Sequence, residues 1–208
     1  MTLEEILSVP TAASAEELAR DVWDDDNRLS YSPDGTRLLD AENFPYEITV
    51  KDGCKVICDG VFAFQDYMAG LKIGEEVPLD DRSTPLDKVR LPAGLTHIGK
   101  EAFSECGDLI SIHLPASLLY IGDYAFVDCW QLERISVPAK TRYIGEGAFQ
   151  GCINLYQVSL GKDIEFIGRD AFDDCESLET IRIPRGTKNK YLGMLPKYLH
   201  RYLKEIEK

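Results

Sequence analysis

Apolar and polar positions alternate in one pattern that recurs every 23 residues between Leu86 and Thr187. Leu109-Ile-Ser-Ile112-His-Leu114 shows its first half, with Leu109, Ile112 and Leu114 apolar and the residues between them free to face solvent. Period-two alternation predicts a short strand with one buried face. Copies begin at Leu86, Leu109, Leu132 and Leu155, and a half copy, Leu178 to Pro184, closes the series. Each full copy runs on through an Ile-Gly pair to Ala-Phe and then Cys. The glycines are Gly99, Gly122, Gly145 and Gly168; Phe103, Phe126, Phe149 and Phe172 follow, then Cys106, Cys129, Cys152 and Cys175. Stacked copies predict a parallel sheet with strands about 4.8 Å apart. Pro115 and Pro138 end their strands because proline cannot continue a ladder, and Gly161 stands at that place in the fourth copy. The phenylalanines form an inward column, and each cysteine sits where the chain turns back, a small thiol able to bond weakly to backbone. Each glycine marks a place needing positive φ or close approach of another chain segment.

Outside this block the pattern changes. Thr2 to Leu7 and Ser14 to Trp23 predict two short helices, the second opened by a Ser-x-x-Glu capping box. Pro33-Asp-Gly35 between Leu29–Tyr31 and Arg37–Leu39 predicts a hairpin. Pro45 to Val50 and Val56 to Phe62 can be laid over a repeat, making a degenerate first copy with Cys58 in the glycine place and Gln65 in the cysteine place. The organisation is therefore a helical segment at 1–28, hairpin and degenerate repeat at 29–65, an irregular insertion at 66–85, repeats at 86–187 and a capping helix at 188–208. In that helix Leu195, Leu199, Tyr202 and Ile206 share one face, which suits the polar-backed end a stacked array requires.

Net charge is −13, unevenly spread: residues 1–85 hold 19 acids against 7 bases, and residues 86–208 hold 17 against 16. Such a balance argues against nucleic acid, which wants a basic field. No apolar run reaches membrane-span length, and Met1 to Pro10 lacks the basic and apolar regions of a signal peptide. The chain is expected in the cytoplasm if Met1 is its native start, and at the cell surface or secreted if a leader was trimmed.

Four stacked cysteines invite zinc, but a four-strand column is about 14 Å tall, whereas zinc gathers its ligands at about 2.3 Å from one point. Cys54 and Cys58 have no histidine beside them, and Asp24-Asp-Asp-Asn27 lacks the later glycine and glutamate of a calcium loop. No metal or cofactor is implied. His113 and Ser136 fall in one column as a conceivable base and nucleophile, yet no acid shares it and no nucleophile-elbow, phosphate-loop or HExxH sequence occurs. An enzyme is not expected.

The outward strand positions carry more information. One column holds Arg90, His113, Ser136, Ser159 and Arg182, and its neighbour Lys88, Ser111, Arg134, Gln157 and Thr180. Neither contains an acid, while the opposite turns carry Glu105, Asp128, Asp173 and Asp174. Lys88, Arg90, His113, Arg134, Tyr156 and Arg182 are the candidate binding residues. A further column, His97, Tyr120, Tyr143 and Phe166, precedes each Ile-Gly pair; it reads as a packed side wall or, if exposed, as a stacking surface for sugars together with Trp130.

A period in the twenties with an L-x-x-I-x-L core marks a leucine-rich-repeat solenoid, a β-rich α/β fold with a parallel concave sheet. The full pattern, L-x-x-I-x-L-P then x-x-I-G-x-x-A-F-x-x-C, closely resembles the BspA-like (TpLRR-type) leucine-rich repeat family, nearly residue for residue over Leu109–Cys129 and Leu132–Cys152. The Pro184–Thr187 segment leading into Leu195–Tyr198 also resembles that family's closing segment. The resemblance implies a curved, non-enzymatic binding scaffold, many of whose relatives are surface-exposed adhesins or interaction proteins of host-associated bacteria. The partner expected is a protein or polysaccharide, and the chain is expected to be a monomer. The alternative is a carbohydrate-acting enzyme or accessory with its site near the 66–85 insertion.

Overall fold

A computed structural model of the chain describes residues 1–42, 44–63 and 86–206. The 66–85 insertion and Gln65 lie outside the described residues.

Helices α1 (Leu3–Leu7) and α2 (Ala15–Leu18) are each opened by a complete capping box, Thr2 with Glu5 and Ser14 with Glu17. The second helix is shorter than the Ser14–Trp23 expected. Val22 and Trp23 instead enter strand β1 (Val22–Asp24), antiparallel to β2 (Leu29–Tyr31). β-branched and aromatic residues suit a strand, and β2 offers them a free edge. The acid cluster is the turn between these strands, with Asn27 donating to the Asp24 carboxylate at 3.2 and 2.9 Å. Strand β3 (Arg37–Ala41) pairs antiparallel with β2 around the Asp34 turn, where Gly35 takes φ +70°.

From here each coil contributes to two sheets. The degenerate coil supplies β4 (Glu47–Thr49) and β5 (Val56–Ile57), and the next supplies β6 (Lys88–Arg90) and β7 (His97–Ile98). β4 pairs β6 with Ile48 opposite Val89, and β5 pairs β7 with Ile57 opposite Ile98, so the first coil stacks in register on the second. Later coils add β8 (Tyr120–Ile121), β9 (Arg134–Ser136), β10 (Tyr143–Ile144), β11 (Gln157–Ser159), β12 (Phe166–Ile167) and β13 (Thr180–Pro184). The L-x-x-I-x-L segments form the leucine sheet in two hydrogen-bonded parts, β4-β6 and β9-β11-β13, and the Leu109–Leu114 segment between them joins β9 through a single bridge, Ser111 to Arg134. The Tyr-Ile pairs form a second, isoleucine sheet of order β1-β2-β3-β5-β7-β8-β10-β12, which the hairpin extends at its N-terminal end.

Between the sheets lies one continuous core. Phe62, Phe103, Phe126, Phe149 and Phe172 stack face to face with centroids 5.0–5.5 Å apart, and Phe44 closes the column edge-on at 5.4 Å. The turns that carry them hydrogen-bond forward: Phe103, Phe126 and Phe149 donate their amides to Ala125, Ala148 and Ala171 of the next coil. Backbone too irregular for a sheet therefore still finds partners, as buried amides and carbonyls require. The repeat glycines serve close approach. A Cβ on Gly145 would lie 2.4 Å from the Asp123 amide nitrogen of the coil beneath. Positive φ falls two residues on, at Glu101, Tyr124 and Gly147.

The cysteines are buried and no disulfide joins them. Cys129, Cys152 and Cys175 each donate to the phenylalanine carbonyl of the preceding coil, at 3.2 Å. Desolvation pushes the Cys129 thiol well above its ordinary value.

The C-terminal cap differs from the single helix expected. Helix α3 (Lys188–Met194) stops before Pro196, which forces Leu195 into extended geometry at φ −92°, ψ 146°. A 3-10 turn, Lys197–Tyr202, follows, and then strand β14 (Leu203–Ile206) pairs parallel with β13. A helix there would leave the β13 edge unpaired; the strand satisfies it. Tyr191, Leu195 and Leu199 are buried over the last coil.

Candidate functional site

On the leucine sheet, alternation turns Ile48, Val89, Ile112, Ile135, Val158 and Ile181 inward. Register then aligns the residues between them: Glu47 beside Lys88, Ser111 beside Arg134, and Gln157 beside Thr180; in the second column Thr49 is beside Arg90, and Ser136, Ser159, Arg182 and Lys204 follow one another. Lys88, Arg90, His113, Arg134 and Arg182 are exposed. β14 adds Lys204, which the helical reading of this segment had placed elsewhere; its amine donates to Thr180 at 3.1 Å.

Two details correct the expected charge pattern. The degenerate coil brings Glu47 into a column read as free of acids, and Lys88 pairs with it at 2.6 Å. Their mutual hydrogen bond lowers the Glu47 carboxyl and raises the Lys88 amine. Both are open to water, where such a pair contributes little to stability. The column entering the strands, Asp87, Ile110, Glu133, Tyr156 and Glu179, places exposed acids along one edge of the sheet. The cationic strip is therefore narrow, running through Arg90, Arg134, Arg182 and Lys204, with the polar His113 in the same face. Tyr156, half-buried in the acidic column, holds Arg134: the guanidinium donates to the phenol oxygen and lies 4.8 Å from the ring centroid.

At the strands' other end an open groove of about 880 Å³ runs across three coils, with Ser136, Ser159, Gly161, Lys162, Arg185 and Ile206 among its walls. Gly161 shapes it, because a Cβ there would stand 2.3 Å from the Pro138 carbonyl oxygen.

The aromatic column belongs to the isoleucine sheet and is a stacked ladder. His97, Tyr120, Tyr143 and Phe166 follow one another at centroid distances of 5.5, 4.9 and 4.8 Å. The rungs are unequally covered: His97 is 1% exposed and Phe166 36%. The cover is the N-terminal segment. His97 Nε2 meets the Ile6 carbonyl at 3.1 Å; burial lowers the imidazole pKa, against the raising effect of that hydrogen bond. Trp130 is half-buried on the turn side and takes no part in the ladder. No periodic signal in residues 1–13 announced that they would lie here.

His113 and Ser136 are both exposed; among the described residues the ring hydrogen bonds of histidines are those of His97 and His200. No cluster of metal-ligating side chains occurs among the described residues, and no helix there is long and apolar enough to cross a membrane.

Coils of 23 residues, a leucine sheet, a second ladder and a phenylalanine spine between them define a leucine-rich-repeat solenoid. The chain belongs to the BspA type leucine rich repeat family, whose pattern matches residues 81–193 in six copies. Among curated proteins no sequence matches it. A leucine rich cell surface protein of Faecalibacterium prausnitzii is similar in structure, with 20% identity and a TM-score of 0.67 over 85% of this chain and 42% of that one. The leucine rich repeat protein of T. pallidum is similar at 24% identity and a TM-score of 0.58, over 82% of this chain and 71% of that one. The pneumococcal vaccine antigen PcpA aligns at 18% identity and a TM-score of 0.67, over 95% of this chain and 50% of that one. The chain thus spans about half the length of the first and third. These likenesses establish the fold.

Proposed function

We propose that the chain is a non-enzymatic interaction module that presents the leucine sheet as a concave face to an acidic protein segment or an anionic polysaccharide. The observation that carries this reading is the set of exposed cations, Arg90, Arg134, Arg182 and Lys204, on strands β6, β9, β13 and β14 of a protein with net charge −13. Opposite charge raises encounter rate and selects partners even where it adds little affinity. The neighbouring groove, with Lys162 and Arg185 at its wall, offers an extended polymer a path along the same edge. The similarity to the F. prausnitzii leucine rich cell surface protein supports an extracellular partner.

Charge reversal tests the reading. An array of acidic glycans and acidic peptides is bound to the wild-type chain and to the Arg90→Glu, Arg134→Glu, Arg182→Glu triple variant. Loss of binding by tenfold or more, steeper at low salt, is the expected result. Equal binding by both proteins would sink it.

A further inference from the structure

Residues 1–13 cross the isoleucine sheet like a peptide in a binding site. Side chains from three levels of the solenoid reach for their main-chain carbonyls. Arg37 of β3 donates to Pro10 and Ala12 at 2.6 and 2.8 Å, His97 of the second coil meets Ile6 at 3.1 Å, and Arg142 of the fourth donates to Met1 at 2.5 Å. The first coil adds the Asp59 amide, which donates to Thr11 at 3.1 Å. Ile6 alone is fully buried; Thr2, Glu4, Glu5, Leu7, Ser8 and Pro10 face solvent. This is recognition of main-chain carbonyls plus one aliphatic anchor.

The segment is tied differently from everything beneath it. The ladder from β3 through β5, β7, β8 and β10 to β12 is complete without it. Helices α1 and α2 span five and four residues, too short to hold themselves together. What lies under the segment is the aromatic ladder, and exposure along it follows the cover: His97 beneath Ile6 is closed, whereas Phe166, one coil beyond Arg142, is open.

We propose that the isoleucine sheet is a second binding site, for a peptide, and that residues 1–13 are its resident occupant. The ligand is a partner peptide of the same chemistry, an aliphatic residue among acids as in Leu3-Glu-Glu-Ile6-Leu7. It lays its carbonyls on Arg37, His97 and Arg142 and its aliphatic side chain where Ile6 sits. Binding requires the strap to leave, so the site is self-masked.

The test uses the full chain and a fluorescein-labelled peptide of residues 1–13. Fluorescence anisotropy is expected to show the Ile6→Asp chain, its strap released, binding the peptide at least tenfold more tightly than the wild-type chain does. Adding Arg142→Ala should remove most of that gain, and a peptide carrying Ile6→Asp should not bind. Equal affinity for the wild-type and Ile6→Asp chains overturns the proposal. Amide hydrogen exchange on the wild-type chain gives a reading independent of any variant's folding: residues 3–8 should exchange at least a hundredfold faster than β7, β8 and β10. Exchange at the rate of those strands overturns it. Concentration-dependent dimerisation that the labelled peptide reverses would assign the site to a second copy instead of a partner.

Discussion

The two sheets are made by the same coils, stacked in the same register, yet they face the outside differently. The leucine sheet turns out Lys, Arg, His and Ser from strands whose alternation leaves every second side chain in water. The isoleucine sheet has strands of two residues, so each coil offers one outward side chain, and it is a ring in each full coil. A polar outward row needs no cover. A ring row gains from one, and residues 1–13 supply it over the first rungs. The face left bare and the face protected follow from one choice of residue per coil.

Substitutions in the shared core should damage both sheets alike. Phe126 lies mid-column, buried between Phe103 and Phe149. Phe126→Ala is expected to cost about 3–5 kcal/mol, seen as a lower urea midpoint with the isoleucine and leucine sheets lost together. Separate transitions for the two would break the picture of one core. Gly145→Ala bears on the isoleucine sheet first, since its new methyl would meet backbone of the coil below. Overpacking of this kind costs about 1–3 kcal/mol, and calorimetry should show the lowered melting temperature.

Acid should act on the strap side selectively. Burial holds the His97 imidazole below its ordinary 6.5, with the Ile6 carbonyl pulling the other way. Between that lowered value and 6.5 the unfolded chain binds a proton that the native chain does not, so stability rises with pH there. The contribution is complete above 6.5 and fades as pH falls through the lowered value. Protection of residues 3–8, taken as exchange relative to the intrinsic rate at each pH, should therefore fall from pH 7 to pH 5, and His97→Gln should flatten the dependence. The smallest effect belongs to the leucine face. Arg90→Glu, exposed and away from the core, should shift stability by no more than about 0.5 kcal/mol in urea melts; a larger loss would show that this row is structural.

The number of coils, their register, the phenylalanine spine and the buried cysteines were legible in the sequence, because identical residues at a fixed period must occupy identical places in stacked coils. Arg90, Arg134 and Arg182 were legible as outward cations for the same reason, whereas Lys204 was not. The acid paired with Lys88 was harder to see, since Glu47 belongs to a coil whose period is broken by the insertion. β14 was hidden because Leu195, Leu199, Tyr202 and Ile206 suit a helical face as well as they suit a chain interrupted at Pro196. Only the open edge of β13 decides for a strand. The strap was not legible at all: Ile6 and the carbonyls of residues 1–12 carry no periodic mark, and side-chain donors on Arg37, His97 and Arg142 meet them only once four levels of the solenoid are stacked. Repetition encodes whatever each coil does to its neighbour, and contacts that skip across coils exist only in the assembled fold.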